Sequence, residues 1–358
     1  MTARTRTRTT LVALAAAALA APLAVVAVLA GPVEAAGNVG PRKHEVTMYK
    51  VEQQVDLSGE FPDSDAHEHL YCDNGDIALD GMWRIEHVDQ YDPSDEDPDD
   101  PDSGFYDDER DVVVHASYPD SSDDREWHFR LENLSQGNAQ VKLFITCVKG
   151  RTEATANHRH DVNISPVYTD TSHHSLGAGA QDLEFDGTCD PGYFAVAPGF
   201  NFVNDEYNEI FRSWPITSGR SWHWAFKVTD PNPELNVYLR CLSKKVVSEF
   251  GPGASKKHTH KIPMVYRPNL GGFATDVSPA NRSVERRFDC DQGAGNYSNY
   301  KAMVGGFWID DPHHVWFLGM DPRPKQRAYR FWYDGSSSNT VYLGALCIRA
   351  RTDKQIKP

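Results

Sequence analysis

Three kinds of residue in this 358-residue chain are spaced in ways that could do chemistry. Histidines recur as His-x-His at His67/His69, His158/His160 and His258/His260, and as neighbours at His173/His174 and His313/His314. On a strand, positions i and i+2 face the same side, so such a pair can grip zinc or copper. His158, His160, His258 and His260 fall at the junctions of a repeat, where solvated linker residues are the alternative reading. Between Asp92 and Asp111, eleven acids and one Arg occupy twenty residues, "DPSDEDPDDPDSGFYDDERD". Asp95, Asp97, Asp99 and Asp102 could offer calcium hard oxygen ligands. The segment lacks the Gly and closing Glu of an EF-hand loop, and it reads equally as a solvated insertion. Trp214, Trp316 and Trp332 are hard to place on one inner face. They could stack on a sugar ring or anchor a protein partner, with core packing as the alternative.

Hydrolytic machinery is not legible. The chain has no G-x-S-x-G elbow and no H-E-x-x-H zinc pair. Paired carboxylates abound, as in any acidic chain, so they single out nothing.

The elements that must position these residues follow from a threefold repeat. Cys-Asp-x-Gly occurs at Cys72, Cys189 and Cys290, and each copy is closed downstream by a second Cys, at Cys147, Cys241 and Cys347. Each closing Cys ends an alternating strand: Val141, Leu143, Ile145; Leu235, Val237, Leu239; Val341, Leu343, Ala345. A period of two with one apolar face is a half-buried strand. An aromatic strand precedes each of them (Trp127, Phe129, Leu131; Trp222, Trp224, Phe226; Tyr329, Phe331, Tyr333), after which comes a polar, turn-rich stretch. These pairs read as hairpins. Cys72–Cys147, Cys189–Cys241 and Cys290–Cys347 are therefore the expected bridges. The Asp and Gly after each first Cys read as turn formers, the Gly at positive φ.

The expected fold is all-β, with three tandem disulfide-stapled β-sandwich-like modules at 36–157, 158–257 and 258–358. The acidic insertion at 92–111 lengthens the first. Junctions such as "SEFGPGASKKHTH" favour beads on a string, with strands stacking across them as the alternative.

Residues 1–35 read as a signal peptide: Arg4, Arg6 and Arg8, an apolar run from Leu11 to Ala30, then Val33-Glu34-Ala35 as a cleavage site. A retained anchor is the alternative. The whole chain carries 36 Lys+Arg against 51 Asp+Glu, a net charge of −15. Such a chain repels phosphate backbones, which argues against a nucleic-acid partner. No stable membrane insertion is expected after cleavage.

The order Cys-x-x-Gly, then Ala-x-x-Gly-Gly with a large residue, then an aromatic strand and V-x-L-x-A-x-Cys, resembles short disulfide-paired β-repeat modules of secreted proteins from high-GC Gram-positive (actinobacterial) bacteria. Cys290, Gly293, Ala302, Gly305, Gly306 and Cys347 carry it best. Pro198-Gly199 and Asp80-Gly81 stand for the double Gly in the other copies. The resemblance implies export and a β module, with no activity attached.

Taken together, the residues point to a secreted, non-enzymatic binding or scaffolding protein at or outside the bacterial cell surface. Its partner would be an extracellular protein or glycan, and no cofactor is expected beyond possible Ca2+. A calcium-dependent adhesin, and an extracellular hydrolase or metalloenzyme with a site at a module interface, are the alternatives. N-terminal sequencing of exported protein should begin near residue 36, and a first residue of Met1 would reject the cleavage.

Overall fold

The computed structural model describes residues 44–59, 64–91, 105–107, 109–135, 137–152, 162–164, 167–175, 181–203, 208–216, 219–228, 234–247, 259–274, 282–291, 297, 299–323, 325–333 and 339–352. Each repeat supplies six main strands. The first gives β1 (Met48–Leu57), β2 (Asp65–Tyr71), β3 (Ile77–Tyr91), β4 (Val112–Pro119), β5 (Glu126–Asn133) and β6 (Ala139–Val148). The second gives β7 (Val167–Ser175), β8 (Gln181–Thr188), β9 (Tyr193–Phe202), β10 (Asn208–Pro215), β11 (Ser221–Val228) and β12 (Glu234–Ser243). The third gives β13 (Met264–Ala274), β14 (Arg282–Asp289), β15 (Tyr300–Ile309), β16 (Val315–Pro322), β17 (Gln326–Tyr333) and β18 (Thr340–Arg349). The fold is all-β.

Two expectations need correction. The aromatic strand and the Cys-ending strand of each repeat are not a hairpin. β5 pairs with β4 and β2, whereas β6 pairs with β1 and β3. The apolar faces of β5 and β6 must oppose each other across the core, which places the two strands in different sheets. Nor are the modules beads on a string. The sheets run β1-β6-β3-β16-β17-β14, β7-β12-β9-β4-β5-β2 and β13-β18-β15-β10-β11-β8. Every sheet therefore joins three strands of one repeat to three of another: the first to the third, the second to the first, the third to the second. The arrangement closes into a three-sided ring.

Strand pairing also shifts one position of the repeat. Gly81, Pro198 and Gly305 oppose Ile145, Leu239 and Ala345, each two residues before the closing Cys. Asp80 therefore aligns with Ala197 and Val304, not with the first Gly of a pair. A bulge in every third strand, at Ala78/Asp80, Ala195/Ala197 and Ala302/Val304, sets this register.

Core residues of all three repeats form one contiguous cluster. At its middle, the equivalent residues Trp83, Phe200 and Phe307 meet Phe317. The Trp83 ring lies edge-on to Phe200 at 6.0 Å and to Phe317 at 5.5 Å, and Phe307 stacks on Phe317 at 3.7 Å. The three disulfides are Cys72–Cys147, Cys189–Cys241 and Cys290–Cys347, spanning 75, 52 and 57 residues. Each ties the segment after its module's second strand to the sixth strand, across the two half-sheets. Loops of that length restrict the unfolded chain by about 4 kcal/mol each in the chain-entropy model. Gly75 and Gly192 take φ of 87° and 100°. The turns they make are held by Tyr49 and Tyr168, whose hydroxyls each accept the backbone N–H of the Asp after the Cys at 2.7 Å.

Two buried arginines cross the seams between repeats. Arg240, with no exposed surface, donates to the carbonyls of Ala78, Asp124 and Asp120 at 2.6–2.8 Å, holding the β4–β5 turn. Arg327 occupies the place held by Trp127 and Trp222 in the other repeats. It lies 3.4 Å from Asp80 and donates to Thr146 Oγ1 at 3.2 Å and to the Met303 carbonyl. Gly305 N–H also donates to Asp80, at 3.3 Å. Burial pushes the Asp80 carboxyl up to about 7, against the opposing pull of Arg327 and the Gly305 amide.

Asp80→Ala leaves Arg327 buried without its counter-charge and should cost about 3–5 kcal/mol in denaturant unfolding. Adding Arg327→Met should recover most of that loss, and a double variant no more stable than the single one would show that the pair is not coupled.

Candidate functional site

The outer face of the sheet shared by the first two repeats carries a row of rings perpendicular to its strands. Alternation on β5 turns Trp127, Phe129 and Leu131 inward and Glu126, His128 and Arg130 outward. On β2, His67, His69 and Tyr71 face out. Register then places His69 opposite His128, and Tyr71 opposite Glu126. Tyr118 of β4 stacks flat on His128 at 4.7 Å and on Tyr238 of β12 at 4.5 Å. The intervening β9 passes beneath that stack at Gly199. A Cβ there would come within 2.6 Å of the Tyr118 Cα, so the approach requires glycine.

At the β2 end of the row, titratable groups converge. His69 Nδ1 lies 2.6 Å from Glu126 Oε1, and His128 Nε2 lies 3.6 Å from the same oxygen. The Tyr71 hydroxyl donates to Glu126 Oε1 at 2.8 Å. The two imidazole centroids are 4.3 Å apart. Asp120 Oδ2 is 3.0 Å from His128 Nε2, while its Oδ1 accepts the N–H groups of Ser122 and Asp123 and the Ser122 hydroxyl. Burial pushes the Asp120 carboxyl up, but these hydrogen bonds outweigh it and hold the group well below the usual carboxylate range.

A second feature lies where the three fourth strands begin. Val113, Glu209 and Trp316, which occupy the same position in the three repeats, line a cavity of about 40 Å3 with Trp83 and Arg110. That is room for about one water. Glu209 is buried, with Lys227 Nζ at 3.9 Å. Burial pushes its carboxyl up to about 8, with Lys227 and Arg110 pulling it back.

The residues singled out by spacing are dispersed. Asp95, Asp97, Asp99, Asp102, His158, His160 and His258 lie outside the described residues. His260 is fully buried rather than solvated, its ring edge-on to that of the equally buried His44 at 4.5 Å. Trp214 is half-buried on an outer face, edge-on to Tyr266 at 5.7 Å. Trp332 is buried, and the Arg110 guanidinium covers it at 3.9 Å and half-buried Trp316 at 5.0 Å. Their stacking capacity is already engaged within the molecule.

The His69/Glu126/His128 cluster was missed because its partners are 57 residues apart, on strands that are not sequence neighbours. His-x-His marked the correct face of β2. Only the register with β5 supplies the second imidazole.

Compared with protein-family models and with curated proteins, the chain matches none.

For Glu209, the folded state holds its proton more tightly than the unfolded chain, whose carboxyl titrates near 4.5. The stability tied to the neutral form is complete below that value and is lost as pH rises through about 8. Glu209→Gln should therefore raise the Tm more at about pH 9 than at about pH 5. A Tm difference constant across that range would refute the buried titration.

Proposed function

We propose that this is an extracellular, non-enzymatic binding or scaffolding protein that engages a protein or glycan partner through the outer faces of its sheets. The observation that carries this reading is the Tyr238–Tyr118–His128–His69 row, partly exposed across one sheet and flanked by Glu126 and Asp120. Flat rings framed by carboxylates stack on sugar rings and planar side chains while their neighbours accept hydroxyl or amide hydrogens. The two best-formed cavities among the described residues, about 40 and 10 Å3, are far below the size of a substrate pocket. A broad face suits a macromolecular partner better than a small enclosed substrate.

Three disulfides and no free cysteine suit an oxidising compartment. No helix among the described residues is long and apolar enough to cross a membrane. The disulfides, together with the leader read from the sequence of residues 1–35, support action outside the cell.

The test is retention of cell-wall polysaccharides, arrayed glycans and extracellular proteins on the immobilised chain. The Tyr118→Ala/Tyr238→Ala double variant should bind about 10-fold or more weakly than wild type. Retention unchanged by that variant would exclude this face, and turnover of a captured glycan would overturn the non-enzymatic reading.

A further inference from the structure

We propose that His69, Glu126 and His128 form a binding site for a divalent transition-metal ion of the zinc type, at the edge of the aromatic row. One ligand atom from each lies within 4.8 Å of the other two, and His69 Nδ1 and His128 Nε2 both face Glu126 Oε1. Tetrahedral zinc with bonds of about 2.0–2.1 Å separates its ligands by roughly 3.3 Å. The observed separations of 2.6 and 3.6 Å to Glu126 Oε1 bracket that value. Small rotamer adjustments therefore convert a proton-bridged cluster into a coordination shell.

The ligand set selects the class of ion. Two imidazole nitrogens and one carboxylate oxygen suit zinc, nickel or copper, whereas calcium and magnesium take oxygen alone. Asp120, whose Oδ2 lies 3.0 Å from His128 Nε2, adds a second carboxylate at the rim as a fourth candidate ligand. The hydroxyl of Tyr71 orients Glu126, as outer-shell donors orient metal-bound carboxylates. His69 is 46% exposed at its side chain, which leaves the site open to ions from solution.

The repeat itself supplies a control. The same three positions hold Asp186, Ser221 and His223 in the second module, and Arg287, Gln326 and Ala328 in the third. Both modules build the same strand pairing without this ligand set. The fold therefore makes no demand for two histidines and a glutamate here, and a role in ligation accounts for their convergence.

This inference stands apart from the partner proposed for the face, since it concerns the ion alone. The untagged chain is titrated calorimetrically with Zn2+ at neutral pH. One ion per chain should bind, and His69→Ala or His128→Ala should each weaken that site at least 10-fold. Tyr71→Phe, which leaves all three ligands, should weaken it by a smaller factor. His158→Ala/His160→Ala and His173→Ala should leave it unchanged. Unchanged far-ultraviolet circular dichroism in the metal-free variants separates lost ligation from lost folding. Co2+ in place of Zn2+ should give visible absorption bands of four- or five-coordinate nitrogen and oxygen ligation, absent in His128→Ala. No saturable uptake, or uptake indifferent to both His69→Ala and His128→Ala, would overturn the proposal and leave the cluster as a hydrogen-bonded network.

Discussion

The seam between the third strand of one repeat and the fourth strand of its neighbour is the constraint on which the whole molecule depends. Each repeat contributes two three-stranded half-sheets, and each half-sheet considered alone ends in an unpaired edge lined by core residues. Such edges invite uncontrolled pairing. Joining β9 to β4 and β15 to β10 covers two pairs of edges, and returning β16 to β3 covers the last. A linear string of the same modules would leave that final pair open. Closure at three is thus what removes the exposed inner edges, and it also brings Trp83, Phe200 and Phe307 together in one core.

The ladders at these seams are short. The β3–β16 join registers one residue pair, Arg84 with Gly319, and the other two joins register two pairs each. Pairing within a half-sheet runs far longer, as between β1 and β6. Side chains must therefore carry much of each seam. Arg130 and Arg330, at the same position of their repeats, reach across to the carbonyls of Phe202 and Ile85, which are also equivalent to each other. In the second repeat that position is Ala225, and the Arg240 position is Leu346 in the third. The β10–β15 seam lacks both of these arginines, and Arg212 instead lies 4.2 Å from the Trp308 ring. Two seams bridged by arginine-to-carbonyl bonds and one held by an arginine over a ring give the joins distinct chemistry. A wrong pairing of half-sheets would strand a buried guanidinium, so the buried arginines specify which module docks on which.

The sequence carried the local part of this architecture in full view. Alternation marked the closing strands, and recurrence of Cys-Asp-x-Gly paired the six cysteines correctly, because each bridge lies inside its own repeat. What it hid was everything set by partners distant along the chain. Nothing local in Trp127 or Val141 says whether their strands lie side by side or face to face, and the polar stretch between them serves either geometry. The bulge after Ala78 slides Asp80 out of the glycine position that simple alignment gave it. Asp80 then meets Arg327, a partner visible only once the ring has closed. The histidine cluster follows the same rule. His69 was noticeable as half of His-x-His, whereas the cluster is completed by Glu126 and His128 from a strand that joins β2 only in the folded sheet.

Threefold repetition also explains why function should be sought on the outer faces rather than in the core. Positions at the centre are held to one plan by the need to fill a shared interior: the residues there are Trp, Phe and Phe, and the disulfides repeat without exception. Outward positions carry no such requirement. The equivalent outer rows hold His69, His128 and Tyr118 in one sheet, and Asp186, His223 and Trp214 in the next. In the third sheet they hold Arg287, Ala328 and Asp321, the last tied to Lys50 and Arg323. One sheet thus gathers aromatic rings, imidazoles and carboxylates, another an imidazole beside Arg212 and Asp186, and the third fixed ion pairs. A scaffold that rigidly repeats its backbone while varying three broad faces can present different chemistry on each side. The face where rings, imidazoles and carboxylates coincide is the one whose composition the fold does least to explain.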